Sequence, residues 1–131
     1  MLVIQLARFT IAFVWIYHGL VPKLLHVAPL ELLMTASFGL SEEHSYLLTK
    51  AAGMVEVAFG LLFAVFYQQK WINYASIAGL SGLLLYAVLF VPVALAEAFN
   101  PVTTNTPVIV LGLILLQQLT NRNNSDLAGA G

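Results

Sequence analysis

Long apolar stretches almost free of charge constrain this chain more than any other feature. Residues 2 to 21 are apolar apart from Gln5, Arg8, Thr10 and His18. At about 1.5 Å of rise per residue they match the ~30 Å hydrocarbon core of a bilayer. Comparable stretches run from about Ser41 to Tyr67, from about Ile72 to Phe99, and over a shorter segment from Pro107 to about Thr120. The 131 residues are 60% hydrophobic and only 8% charged, whereas soluble domains hold roughly 45–50% and 25%. So short a chain has too little polar surface to enclose that much apolar side chain in water. The expectation is an all-α membrane protein: a four-transmembrane-helix bundle in one domain over residues 1–120, with lipid as its solvent. The first stretch has no basic region before it and no small-residue cleavage site after it, so it reads as a retained span.

Punctuation between the stretches sets the remaining elements. Pro22 should end the first span. PLELLMTASFGL, residues 29–40, is too short to cross and predicts a short interfacial helix between the first two spans. Ser41 before Glu42 and Glu43 reads as the cap of the second span. Gln68-Gln69-Lys70 is a tight connection, and Gly79 and Gly82 should allow close helix approach before a kink at Pro92. NPVTTNTP, residues 100–107, reads as a turn in which Asn105 or Thr106 caps a last helix opening at Pro107. The polar tail, residues 121–131, is expected to be disordered. Four spans place both termini on one side. Lys70, Arg122 and Arg8 on that side, against Lys23 and Lys50 among Glu31, Glu42 and Glu43, favour the cytoplasmic face of the inner membrane.

Several functions are excluded at this level. A net charge of −1 offers no basic field for nucleic acid. The absence of cysteine removes dithiol exchange, thiolate nucleophiles and Cys-ligated metals. No phosphate loop, HExxH segment or nucleophile elbow is present, and no catalytic set is identified.

What needs explaining is a small number of polar residues. Arg8 and Glu56 lie inside apolar spans, where an unpaired charge costs at least ~2.5–3.5 kcal/mol. Measured along their helices they sit ~9 Å and ~16 Å from the same face, a gap one arginine side chain can bridge, so they are the candidate buried polar pair. Glu56 shares a helix face with Gly53 and Gly60, which should bring a neighbouring backbone close to it. Such a pair reads first as a device that fixes helix register, with proton transfer or the holding of a polar ligand as the alternative. A third arrangement has Glu56 protonated and Arg8 snorkelling to the surface. His18, Lys23, His26, Glu31, Glu97, Asn100 and Asn105 gather toward the opposite face. His18 and His26 are eight residues apart across Pro22, and His44 is on another helix, so no metal site is expected. Trp15, Tyr17, Tyr86 and eight phenylalanines either pack the bundle or line a cavity for a flat ligand such as a quinone.

The run ARFTIAFVWIYHGLVPKLL, with an intramembrane arginine, an aromatic stretch and Gly-Leu-Val-Pro-Lys, resembles the start of DoxX-like membrane proteins. Glu31, Gly53-Met54-Val55-Glu56 and Asn100-Pro101 are similar to that family's pattern, extending the resemblance to about Gln118. It implies a small four-helix inner-membrane protein linked to redox systems, one of whose namesakes is a subunit of a sulfur-linked quinone oxidoreductase. By position it points to Arg8, His18, Lys23, Glu31 and Glu56 as the place to look for a site; the candidate ligand-binding set is His18, Lys23, Glu31 and Asn100. No cofactor motif is evident, and a quinone is the cofactor the resemblance suggests. A redox protein and a second copy of the chain are the partners to consider. A small permease working through Arg8 and Glu56, or a non-catalytic assembly protein, remain open as alternatives.

Overall fold

In a computed structural model, residues 2–129 are described, and they form helices joined by short links. Helix α1 covers Leu2–Gly19 and runs into a π-helical turn, Leu20–Leu25; α2 is Pro29–Ala36, α3 Glu42–Phe66 and α4 Lys70–Phe90. A 3-10 turn, Pro92–Ala96, leads to α5, Pro101–Ala128. Four helical segments are long and apolar enough to cross a membrane: Leu2–Leu25, Glu42–Phe66, Lys70–Phe90 and Pro101–Ser125. Large apolar side chains such as Phe13, Val55, Val65, Leu89 and Phe90 point outward, a surface suited to lipid and far too apolar for water. The chain is thus a multi-pass membrane protein built as a helical bundle.

Helix α1 lies between α3 and α5, and α4 packs chiefly on α5. Small residues make the α1–α3 contact tight: a Cβ placed on Gly60 would sit 2.9 Å from the Ala12 carbonyl oxygen, and one on Gly19 would strike that of Gly53. The expected close approach beside Glu56 is therefore present, and α1 is the partner that makes it. Trp15 fills the gap to α4, where it meets Gly79 and donates from Nε1 to Ser76 Oγ at 2.8 Å. Gly82, expected at a helix contact, faces open space.

The contiguous apolar core unites Ile4, Ile11 and Trp15 of α1, Phe63 of α3, Ile72 and Leu80 of α4, and Val108, Leu115 and Leu119 of α5, and it is continuous from mid-bundle to the end that carries the start of α1 and the α3–α4 connection. We call this the terminal end. The other, distal end is spanned by α2, which is pinned to α3 by Thr35 and Thr49 (3.2 Å between hydroxyls). Tyr86 of α4 bonds Ser37 and stacks between Phe38 and Phe90.

Several boundaries differ from the sequence expectations for local reasons. The Ser41 cap forms, accepting from the His44 amide at 3.4 Å. Pro92 stops α4 outright: Val91 before it leaves the α region, with φ −134° and ψ 54°, as the clash with the proline ring favours. Two prolines compete to open α5, and Pro101 wins because Asn100 caps it, its Oδ1 accepting from the amides of Val102 (2.9 Å) and Thr103 (3.1 Å). Pro107 is consequently interior to the helix, and neither Asn105 nor Thr106 is a cap. The tail expected to be disordered continues α5 as far as Ala128; its last two residues lie outside the described range.

Candidate functional site

The site begins with Pro22. A proline inside an α-helix supplies no N–H and crowds the carbonyl four residues back, yet the chain does not leave the helix there. It widens into the π-helical turn, whose following residues keep the carbonyls occupied: His26 N–H donates to Val21 O at 3.0 Å and Ala28 N–H to Pro22 O at 2.8 Å. Lys50 of α3 donates its ammonium to the Leu24 carbonyl, a cation placed where a helix end is electronegative. Widened turns of this type recur at functional sites. Here the consequence is that Lys23, expected at the surface, points into the bundle and is only 6% exposed.

Lys23 Nζ forms an ion pair and hydrogen bond with Glu56 Oε1 and lies 3.5 Å from Glu31 Oε2. The partner expected for Glu56 was Arg8, and this is corrected by the helix register. Along the α1–α3 contact, Arg8 meets Ala64, Ala12 meets Gly60 and Gly19 meets Gly53. Glu56 is therefore level with Ile16, eight residues beyond Arg8, or ~12 Å along the axis. Lys23 reaches it from the other direction, because helical side chains lean back toward the start of their helix. Arg8 is satisfied locally. Its Nε donates to the Ala64 carbonyl at 2.7 Å, Nη1 to Gln5 Oε1 at 3.1 Å, and the guanidinium lies 4.5 Å from the centre of the Tyr67 ring.

Glu31 occupies the first turn of α2, where the helix dipole favours a carboxylate by ~0.3–1 kcal/mol. Removal from water opposes this more strongly, since even the relaxed cost of burying an ion is several kcal/mol. Burial pushes the Glu31 carboxyl above the ordinary carboxylate range; Lys23 pulls it back and Glu56 adds to the rise.

Beside this cluster is an open cavity of about 480 Å³ lined by α1, the π turn, α2, α4 and α5. Tyr17, His18, Lys23, Glu31, Met34, Leu83, Phe99, Thr104 and Asn105 are among the residues lining it. His18, Lys23 and Glu31 of the sequence-derived set are thus brought together. Asn100 is spent on capping, His26 and Glu97 are exposed, and Trp15 and Tyr86 pack elsewhere. Asn105 is the residue whose role the sequence reading missed. It is 5% exposed, its one side-chain hydrogen bond among the described residues is a long one at Oδ1 from Thr104 (3.5 Å), and its amide nitrogen makes none there. The signal that could have found it is helical spacing. On a helix started at Asn100, Asn105 falls three residues before Val108 and on the same face as Leu115 and Leu119, all of them buried. No group of three His, Asp or Glu side chains is arranged to share a metal ion among the described residues.

The sequence model of the DoxX-like family matches residues 12–113. The chain belongs to the DoxX-like family. In this DoxX-like protein the matched stretch contains His18, Lys23, Glu31 and Asn105, which line the cavity, and Glu56 behind it, while Arg8 lies before the stretch. No curated protein and no solved structure matches the chain.

Proposed function

We propose that this DoxX-like protein is a ligand-holding subunit of a quinone-linked redox system in the inner membrane, with both termini on the cytoplasmic side. The observation that carries the reading is the distal cavity: it is mostly apolar, inside a lipid-spanning bundle, and bordered by a buried charged cluster and by the buried Asn105. Its volume of about 480 Å³ lies within the range of small-molecule sites. Tyr17, Met34, Leu83 and Phe99 offer apolar walls to a flat ring. His18 of α1 and the Asn105 amide of α5 offer hydrogen bonds to ring oxygens.

When bound, a quinone carries two electrons and two protons. The chain's own residues hold the ring and present donors to its oxygens. A cysteine-free chain without a dinucleotide-binding segment leaves the electrons to a partner protein. The permease reading rested on an Arg8–Glu56 pair, and it loses that basis because each residue is partnered elsewhere.

Native mass spectrometry with quinone extraction, on protein gently solubilised from its own membranes, tests the proposal. Wild type should carry quinone in stoichiometric amount and Asn105→Leu much less. Phospholipid alone on the wild type, or equal quinone on both, would reject the assignment.

A further inference from the structure

The distal cluster holds one more negative charge than positive. A single ammonium, Lys23, faces two carboxylates, and it is bonded to Glu56 while Glu31 stands at 3.5 Å. The other titratable groups nearby do not correct this imbalance. Lys50 of α3 bonds the neutral Leu24 carbonyl and forms an ion pair with neither carboxylate, His18 of α1 makes no ion pair among the described residues, and Tyr17 of α1 is exposed at the rim. On α4, Tyr86 is bonded to Ser37. A surplus carboxylate in an apolar setting takes up a proton in preference to remaining ionised.

Geometry decides which of the two it is. Glu56 receives the Lys23 hydrogen bond at Oε1 behind the cavity wall, its Oε2 buried with no partner among the described residues and out of a guest's reach, whereas Glu31 is farther from the ammonium and lines the cavity itself. We infer that Glu31 holds a proton in the ligand-free protein and presents it as a hydrogen-bond donor to the ligand, so that the cavity admits neutral molecules bearing a carbonyl-type acceptor and turns away ionised acids. The direction in which burial moves the Glu31 carboxyl agrees. This deepens the ligand reading above and rests on it only for the identity of the guest.

The experiment has two arms. Infrared pH titration of the ligand-free protein should show a protonated-carboxyl C=O band that persists above the range where exposed carboxylates have ionised, and Glu31→Gln should remove it. Absence of the band, or its survival in Glu31→Gln, would overturn the inference. In the second arm a short-chain ubiquinone analogue is titrated onto wild type and Glu31→Gln. The wild-type Kd should rise about tenfold per pH unit above the infrared midpoint, and the Glu31→Gln Kd should stay flat; equal pH dependence in both would also overturn it. Failure of the analogue to bind at any pH would remove the quinone reading, while the infrared arm still decides where the proton is.

Discussion

The two halves of the bundle handle buried charge in opposite ways. At the terminal end Arg8 is absorbed into the packing: a carbonyl, an amide and an aromatic face surround it, and the apolar core closes beside it. At the distal end Lys23, Glu31 and Glu56 are partnered with one another, one ammonium is shared between two carboxylates, and a cavity opens beside them. An intramembrane charge is therefore not by itself evidence of a site. What separates the two cases is whether the surrounding protein finishes the job of satisfying it.

Removing each cation should expose that difference. Lys23→Met leaves Glu56 buried without its partner and should cost about 3–5 kcal/mol, with much of the loss recovered in Lys23→Met/Glu56→Leu. Arg8→Met gives up hydrogen bonds that a carbonyl and an amide can partly replace and should cost about 1–2 kcal/mol. Thermal unfolding in one detergent reads both, and equal losses would erase the distinction. A smaller effect belongs to Glu31. Because its carboxyl is held above the ordinary range in the folded protein, the folded state binds the proton more tightly than the unfolded chain. Stability should then be greatest in acid and decline as pH rises from the ordinary carboxylate value through the raised folded one, by about 1.4 kcal/mol for each pH unit that separates the two. Glu31→Gln should flatten that decline, and an unchanged slope in the variant would assign it elsewhere.

Much of the fold could be read from the sequence because the physics that sets it is local. Apolar length gave the four spans, Ser41 with Glu42 and Glu43 gave the start of α3, and Gly53 with Gly60 gave the face on which Glu56 meets α1. The site was half legible. His18, Lys23 and Glu31 were singled out by polarity, but their mutual arrangement depends on two things that composition does not encode. One is the register of α1 on α3, which separates Arg8 from Glu56 by ~12 Å where helix depth alone suggested contact. The other is the response of the chain to Pro22: a break would have left Lys23 in the outer loop, whereas the π-helical turn carries it inward. Asn105 was obscured by the choice between two prolines, since capping by Asn100 moves it from a helix end to a cavity wall.

The most direct test of the central claim, that the distal charge cluster borders a ligand site while the terminal one is structural, is an equilibrium titration of a short-chain ubiquinone analogue in lipid nanodiscs. Wild type, Arg8→Gln and His18→Leu/Asn105→Leu are compared at matched folded fraction. The account predicts a Kd for Arg8→Gln within about twofold of wild type and a weakening of about tenfold or more for the distal double variant, about 1.4 kcal/mol or above. Equal weakening by both, or by neither, would contradict it.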